Sequence, residues 1–407
     1  MIATKKIALG VTGGIAAYKA CELVRELKKS GAEVRVVMTE AAQKFVAPQT
    51  FATLSENPVL LSLFDQNENV GVVHLDLARW CDALVVCPAT ANIIGKVAGG
   101  IADNALSTII MATKAPVLFC PAMNSVMWEN SFVQENIFKL KNSGYQFVEP
   151  EWGPLATSAE GEGWGRLASL TLILQKLKYL LLSTEELKGQ NVLVTAGPTR
   201  EAIDPVRFIT NYSSGKMGFA LAEAAKLKGA EVVLISGPNQ IQKLEGVRYI
   251  EVTTVEQMHN AITREYKNTN ILLMAAAVSD FKPVQISQHK LKKSQSKIIL
   301  ELAKTTDILA SLGKKKEGRI HVGFAVETED EVSNATKKLH SKNLDMVVIN
   351  NPLQEGAAFA GDTNKVTIIS KDGTVEELPK LSKFEVANII LDKVCHMVRN
   401  KIAKAVA

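Results

Sequence analysis

Short apolar, β-branched runs alternate with segments of helical periodicity along the whole chain, and this alternation constrains the fold more than any other feature. In the first half, strands are predicted at Lys6–Val11, Glu33–Met38, Ala83–Cys87 and Val117–Cys120. The last three are followed by Thr39, Pro88 and Pro121. Because strands separated by helices form βαβ units, the pattern predicts a parallel sheet whose carboxyl edge gathers these residues.

The alternation restarts in the second half. A helix from about Leu167 to Leu182 closes the first half, and 407 residues exceed what one core usually supports. Further strands are predicted at Val192–Thr195, Glu231–Ile235, Ile271–Ala275, His321–Ala325 and Met346–Asn350, with helices near 216–229, 254–267, 329–342 and 383–399. The predicted fold class is therefore α/β, with two doubly wound Rossmann-like domains at 1–183 and 191–407 and a polar junction at 184–190.

Composition excludes several classes of protein. A net charge of +5 over this length does not favour nucleic-acid or membrane binding, and no run approaches membrane-spanning length. The five cysteines show no CxxC spacing and an odd count, as expected for reduced thiols rather than a disulfide framework or a zinc site. The start of the sequence shows no apolar signal segment, so a cytoplasmic protein is predicted.

The most informative stretch is residues 196–219, AGPTREAIDPVRFITNYSSGKMGF. A predicted strand leads into a Gly-Pro loop, and the loop Ser213–Gly218 then opens a helix. Glycines permit close backbone approach, helix N-terminal amides bind anions, and Lys216 adds positive charge. The spacing is neither that of a P-loop nor that of GxGxxG, so the pattern alone predicts only a nucleotide or phosphoester site.

The first half carries a comparable set of segments. Residues 10–15, GVTGGI, follow the first strand, and their glycines fit a tight turn as well as a phosphate loop. His74 lies in an alternating stretch typical of a buried core histidine, and Asn124 in PAMNSVMW fits a helix N-cap. Residues 149–166 are rich in Gly, Pro and Trp, which is typical of a lid, a binding loop or a disordered segment.

Together these strings resemble a known family. GVTGGIAAYK, PATANIIGKVAGGIADNAL and PAMNSVMW resemble the flavoprotein cysteine decarboxylases, and the stretch at 196–219 resembles the partner ligase. The chain is thus similar over essentially its whole length to the bacterial bifunctional phosphopantothenoylcysteine decarboxylase/phosphopantothenate–cysteine ligases. The resemblance implies a flavoprotein decarboxylase fold for 1–183 and a nucleotide-binding ligase fold for 191–407.

The resemblance implies FMN chemistry in the first domain. Decarboxylating an N-acylcysteine leaves electrons without a sink, and oxidising the thiol to a thioaldehyde creates one. His74 matches the family's active-site histidine, and Asn124 matches the asparagine whose amide binds the substrate carboxylate. The implied FMN contacts are Gly13, Gly14, Thr39, Pro88, Thr90 and Asn92.

One segment departs from the family pattern. The family's mobile flap carries a cysteine that donates a proton when the enethiol intermediate is reduced, whereas here Thr157 takes its place in GPLATS. A hydroxyl is a much weaker acid than a thiol, so it is a poor replacement. The reductive step is expected to use another donor or to be slow.

The second domain is expected to form the amide bond. A carboxylate must be activated before an amine can attack it, and the resemblance implies an acyl-cytidylate made with CTP and Mg²⁺. Asn211 matches the asparagine that stabilises this intermediate, and Lys290 matches the lysine required for its attack by cysteine. The implied CTP contacts are Asp280, Lys290, Thr306, Asp307, Ile308, Leu309, Phe324, Lys338 and Lys342. No Mg²⁺ ligand is identified.

Two alternatives remain at this stage. In the first, only the second half is an enzyme, the ligase. The first half is then a flavin-binding oligomerisation module, which the missing flap cysteine would explain. The other is an NAD-dependent dehydrogenase, which the absence of a spaced GxGxxG and of its downstream acidic residue disfavours. The resemblance also implies small-molecule substrates and a homo-oligomer, a dodecamer of trimeric decarboxylase and dimeric ligase domains.

Overall fold

The computed structural model describes residues 2–64, 73–157, 161–292, 299–327, 330–351 and 361–406. The chain divides into two compact units, Met1–Leu182 and Ser183–Ala407. Within the described ranges, no helix combines the length and apolar character needed to cross a membrane. All five cysteines are free thiols.

The first unit is built on a parallel sheet in the order β3-β2-β1-β4-β5-β6. Its strands are β1 Lys6–Val11, β2 Glu33–Met38, β3 Val59–Leu60, β4 Ala83–Ala89, β5 Val117–Pro121 and β6 Gln146–Phe147, followed by a separate antiparallel ribbon of β7 Glu151–Pro154 and β8 Glu162–Arg166. Its helices are α1 Ala17–Lys29, α2 Pro48–Ser55, α3 Val73–Trp80, α4 Ala91–Ala98, α5 Ala105–Ala112, α6 Ser125–Glu129, α7 Ser131–Asn142 and α8 Leu170–Leu182.

Two apolar layers cover the faces of this sheet. Ile7 and Leu9 of β1 pack with α1, α2 and α8, whereas Ala8 packs with α3, α4, α5 and α7. The division follows from strand geometry, because successive side chains point to opposite faces. Strands buried on both faces read as continuous apolar runs, which is why the sequence marks them so clearly.

The second unit repeats the strand order. Its sheet runs β13-β12-β9-β14-β17-β18 in parallel and adds β20 and β21 antiparallel at one edge. The strands are β9 Asn191–Ala196, β10 Arg200–Ala202, β11 Phe208–Thr210, β12 Glu231–Ser236, β13 Arg248–Glu251, β14 Ile271–Met274, β15 Phe281–Pro283, β16 Leu302–Lys304, β17 Ile320–Val326, β18 Met346–Asn350, β19 Thr363–Asn364, β20 Val366–Ser370, β21 Val375–Glu377 and β22 Leu381–Ser382. The helices are α9 Lys216–Leu227, α10 Val255–Glu265, α11 Ile308–Gly313, α12 Glu331–Ser341 and α13 Lys383–Val406.

The predicted fold class is confirmed, since both sheets have the strand order of doubly wound Rossmann-like proteins. The residues assigned to a polar junction, 184–190, lie within the second unit. Leu187 of this segment is fully buried in the second core, and its N–H donates to the carbonyl of Lys228 at 2.7 Å. One apolar side chain therefore anchors a segment whose composition is typical of a linker.

Two other segments adopt local structures that the sequence pattern did not specify. His74, in the alternating stretch of the sequence, lies in the first turn of α3. The Gly/Pro/Trp-rich segment at 149–166 contains the ribbon β7–β8, in which Trp152 and Trp164 pack edge to face with centroids 6.1 Å apart. Cross-strand aromatic contacts stabilise such a ribbon although its glycines weaken the strand signal.

Candidate active sites

The carboxyl edge of the first sheet gathers the loops that follow β1, β2 and β4. Thr12 joins two of these loops, because its buried hydroxyl donates to the Pro88 carbonyl at 2.7 Å and accepts the Thr90 N–H at 3.1 Å. Thr39 donates its N–H to the Val11 carbonyl at 3.0 Å. The predicted FMN contacts at 13–14, 39 and 88–92 therefore lie along one edge.

Two helices begin at this edge without a side-chain cap. Neither Ala16, before α1, nor Thr90, before α4, makes a side-chain capping hydrogen bond. The first N–H groups of a helix have no intrahelical acceptor, and they attract anions. The edge thus offers two helix N-termini to an anionic group.

His74 lies at the start of α3, near the same edge of the sheet. Because β4 begins at Ala83, shortly after α3 ends, the start of α3 lies toward the carboxyl ends of the strands. The Nδ1 atom of His74 is buried and has no hydrogen-bond partner within the described part of the chain. A buried ring nitrogen without a partner is costly in a purely structural histidine, so its position favours a ligand-binding role.

Asn124 follows β5 and has one structural role already. Its Oδ1 accepts the Val126 N–H at 2.9 Å, which makes it the N-cap of α6. The structure describes no partner for its amide nitrogen, so the group retains N–H donors for a ligand. The capping and ligand-binding interpretations of Asn124 are therefore compatible.

The ribbon β7–β8 packs against the segment that carries Asn124. Met123 donates its N–H to the Gly165 carbonyl at 3.0 Å, and a Cβ at Gly165 would overlap the carbonyl oxygen of Met123. Gly165 also has a φ of +131°, so both space and backbone conformation favour glycine. Thr157 lies exposed near the tip of the ribbon, where the resemblance places the flap.

The second unit contains a cavity of about 880 Å³ at the carboxyl ends of β14, β17 and β18. This volume fits a nucleotide-sized ligand. The predicted residues that line the cavity are Asn211, Asp280, Thr306, Asp307, Ile308, Leu309, Phe324, Lys338 and Lys342. The loop 213–216 and the start of α9 also line the cavity. The N-cap of α9 is Gly215, which has no side chain to cap the first N–H groups of the helix.

Ion pairs hold the cations of this cavity. Lys342 pairs with Asp307 at 2.9 Å, and Lys338 pairs with Glu327 at 2.5 Å. Burial opposes ionisation of Asp307, but the Ala310 N–H and Lys342 outweigh it and hold the pKa of this carboxyl below its ordinary value. Asp307 therefore stays ionised beside Lys342 at neutral pH.

Lys290 differs from the other predicted residues. It lies exposed in the loop after β15 and is not among the residues that line the cavity. Asn211 does line the cavity and donates its amide to the Val278 carbonyl at 3.0 Å. The structure thus brings the predicted CTP contacts together but places Lys290 outside the described wall of the cavity.

Lys383 lines the same cavity, although no motif in the sequence pointed to it. Its ammonium donates to the Gly361 carbonyl at 2.6 Å and is almost fully buried. Burial, with Lys216 nearby, lowers the pKa of Lys383 to about 8, although Asp362 acts in the opposite direction. Lys383 is the first residue of a predicted helix, and no local pattern distinguishes it from a surface lysine.

The comparisons with known proteins cover both units. A family model described as Flavoprotein matches residues 1–182, and one described as DNA/pantothenate metabolism flavoprotein C-terminal domain matches residues 187–397. The coenzyme A biosynthesis bifunctional protein CoaBC of Bacillus subtilis (strain 168) is 45% identical over 395 residues, which cover 97% of this chain and 97% of that protein. The chain belongs to the CoaBC family.

Two further known proteins are similar to the chain. CoaBC of Vibrio cholerae serotype O1 is 42% identical over 395 residues, covering 96% of this chain and 98% of that protein. A crystal structure of the C-terminal domain of CoaBC is 41% identical, with a TM-score of 0.47, and covers 53% of this chain and 100% of that chain.

Membership of the CoaBC family confirms the predicted identity of the chain as a bifunctional decarboxylase and ligase of coenzyme A biosynthesis. The match over residues 1–182 confirms that the first half is a flavoprotein. Because the similarity runs through both halves, a ligase that keeps its first half only for oligomerisation is not favoured. An NAD-dependent dehydrogenase is not favoured either.

Proposed function

We propose that the second unit joins cysteine to 4′-phosphopantothenate with CTP and that the first unit decarboxylates the product with FMN, giving 4′-phosphopantetheine. The observation that carries this proposal is the 880 Å³ cavity, which collects the predicted CTP contacts other than Lys290 from separate segments of the chain. We place the activity in the cytoplasm and in a homo-oligomer, as the family resemblance implies.

In the ligase unit, the substrate phosphates would bind the N-terminus of α9 together with Lys216, Lys338 and Lys342. No group of three or more His, Cys, Asp or Glu within the described ranges could hold a metal by itself. Mg²⁺ usually binds one or two carboxylates together with substrate phosphates. Asp280 and Asp307 line the cavity and are the proposed carboxylate ligands.

In the decarboxylase unit, the uncapped starts of α1 and α4 would bind the FMN phosphate beside Gly13 and Gly14. Bound flavin supplies the two-electron oxidation of the substrate thiol and the later return of hydride. His74 would contact the thiol and carboxylate region with its buried imidazole. Asn124 would orient the carboxylate with its amide while it caps α6.

Product analysis tests the proposed function directly. Purified protein with phosphopantothenate, cysteine, CTP and Mg²⁺ is expected to release pyrophosphate and CO₂ and to form phosphopantetheine by mass spectrometry. The His74→Asn variant is expected to stop at phosphopantothenoylcysteine while it retains a flavin absorbance spectrum. Failure of the unaltered protein to form a cysteine adduct would contradict the proposed ligase activity.

The flap position provides a second prediction. We expect Thr157→Cys to raise the rate of phosphopantetheine formation at least about ten-fold, because a positioned general acid typically contributes 10²- to 10⁴-fold. Thr157→Val is the matched control and is expected to behave as the unaltered protein, since the hydroxyl is too weak an acid to be the donor. A large loss of activity in Thr157→Val would instead show that the hydroxyl is required.

Lys383 gives a pH prediction for the ligase. Because its pKa is about 8, its ammonium is charged at pH 7 and mostly neutral at pH 9. The KM for CTP is therefore expected to rise about five-fold over this range, equivalent to roughly 1 kcal/mol of charge–phosphate attraction. Lys383→Arg should abolish this dependence, because guanidinium stays charged.

The matched control for this pH series is Lys380→Arg, at an exposed position in the same segment. This variant should show the same rise in the KM for CTP as the unaltered protein. A rise that persists in Lys383→Arg would show that another group causes the pH dependence.

A further inference from the structure

The turn between β10 and β11 contains a buried carboxylate with an unusually full set of donors. Asp204 Oδ1 accepts the N–H groups of Val206 and Arg207, both at 2.8 Å. Its Oδ2 accepts Nε of Arg207 at 2.9 Å and Nη2 at 2.5 Å. The Arg207 guanidinium and these backbone donors keep the pKa of Asp204 well below its ordinary value, so the carboxylate stays ionised at neutral pH.

The same pair holds a residue far along the chain. Leu291 donates its N–H to Asp204 Oδ2 at 3.2 Å, and its carbonyl accepts Nη2 of Arg207 at 2.9 Å. Both polar groups of the Leu291 backbone are therefore bound by one ion pair. Leu291 directly follows Lys290, so this contact restricts the backbone from which Lys290 extends.

A second contact ties the same loop to the same turn. Ser287 donates its N–H to the Ile203 carbonyl at 3.0 Å. The loop from Ser287 to Leu291 is thus attached at both ends to the turn at 203–207, while the Lys290 side chain between them remains exposed.

The hairpin β10–β11 also connects this turn to the cavity. Asn211 follows β11 directly and lines the cavity, where its amide donates to the Val278 carbonyl. One short hairpin therefore carries Asn211 at its base and holds the Lys290 loop at its tip. A rigid connection of this kind fixes the separation of two groups that must act on the same intermediate.

We propose that Asp204, together with Arg207, is a positioning residue of the ligase reaction that holds the Leu291 backbone and thereby presents Lys290 to the acyl-cytidylate. The inference rests on the proposed function of Lys290. Asp204 itself acts through this backbone contact and does not touch the substrate. A purely structural role would stabilise the hairpin without a specific effect on the step that needs Lys290.

Half-reactions separate these two roles. Asp204→Asn keeps the shape of the side chain but removes the negative charge that binds Arg207. The amide NH₂ also cannot accept, so at least one hydrogen bond from a backbone N–H is lost. We expect the cysteine-dependent rate to fall about 10- to 100-fold, while pyrophosphate release from CTP and phosphopantothenate changes less than about three-fold. Asp372→Asn, at an exposed turn of the same unit whose carboxylate bonds locally to Thr374, is the matched control and should change neither rate.

A double-mutant cycle tests whether Asp204 acts through Lys290. In a Lys290→Gln background, Asp204→Asn is expected to lower the cysteine-dependent rate by less than about two-fold further, because residues that act as a unit are not additive. Equal factors in both backgrounds would overturn the proposal. An unaltered rate in Lys290→Gln alone would overturn the role of Lys290 in the proposed function.

Limited proteolysis tests how firmly Asp204 and Arg207 hold the Leu291 backbone, independently of catalysis. Asp204→Asn should increase the rate at which trypsin cuts the Lys290–Leu291 bond, because the two backbone contacts of Leu291 are weakened. Peptide mass mapping would identify the cut, and Asp372→Asn would again serve as the control. An unchanged rate of cleavage at this bond in Asp204→Asn would overturn the positioning role even if Lys290 proves essential.

Discussion

Replacing Asn211 by aspartate is expected to lower the ligase rate by about 10²- to 10³-fold, the usual loss when one donor to a developing negative charge is removed. Asn211 lines the cavity, and its amide donates to the Val278 carbonyl at 3.0 Å, which holds the side chain in place. A carboxylate at this position could not donate to that carbonyl. It would also repel an anionic intermediate.

The measurement for Asn211→Asp is the cysteine-dependent formation of phosphopantothenoylcysteine, with pyrophosphate release followed in parallel. Asn260→Asp, at an exposed position on α10, is the control for adding one negative charge to the same unit. A loss of less than about ten-fold in Asn211→Asp would contradict a role for the amide at the reacting carbonyl.

The second large effect concerns stability and involves His321. This histidine is fully buried in β17, its Nε2 lies 2.7 Å from the Tyr266 hydroxyl, and burial together with Lys316 lowers its pKa to about 4. In the unfolded chain the pKa of His321 is near 6.5, so the unfolded state binds a proton at this imidazole more readily than the folded state. The folded state therefore loses stability as pH falls from 6.5 to 4. The loss from this group is expected to be roughly 3 kcal/mol.

The His321→Gln variant isolates this contribution, because glutamine does not titrate. The difference in unfolding free energy between the unaltered protein and His321→Gln should shrink by roughly 3 kcal/mol between pH 7 and pH 4. His340→Gln, at an exposed position on α12, should leave the pH dependence unchanged. A constant difference for His321→Gln across this range would contradict the low pKa.

The probe for this experiment must report on the second unit. The four tryptophans, Trp80, Trp128, Trp152 and Trp164, all lie in the first unit, so tryptophan fluorescence would follow the wrong part of the chain. Amide hydrogen exchange in peptides that cover β14 and β17 measures the opening of the sheet around His321.

The strands of both sheets were predictable because they are buried on both faces. The predicted bounds of β1, β2 and β9 differ from the observed bounds by no more than one residue at either end. A strand covered by helices on both sides must be apolar throughout, so its signal is continuous along the chain. The starts of helices were predicted less accurately: α8 begins at Leu170 rather than near Leu167, and the Glu151 carboxylate accepts the Ser169 N–H just before it.

Functional residues divide in a similar way. Loop residues such as Gly13 and Asn211 belong to short strings whose resemblance to a family is specific. Lys383 lies outside these strings. Thr12 and Asp204 lie within two of them, but no role was predicted for either, because each acts through contacts with residues distant along the chain. Thr12 reaches Pro88, and Asp204 reaches Leu291.

By itself, the sequence determined the α/β class, the two sheets, the family and the residues predicted to react. Those features depend on periodicity and on contiguous strings. The tertiary structure decided which of these residues share a cavity, that Lys383 is buried at its wall and that Asp204 holds the Lys290 loop. The physical reason is that burial, lowered pKa values and hydrogen bonds from a side chain to a distant backbone segment arise only when segments separated by many residues come into contact.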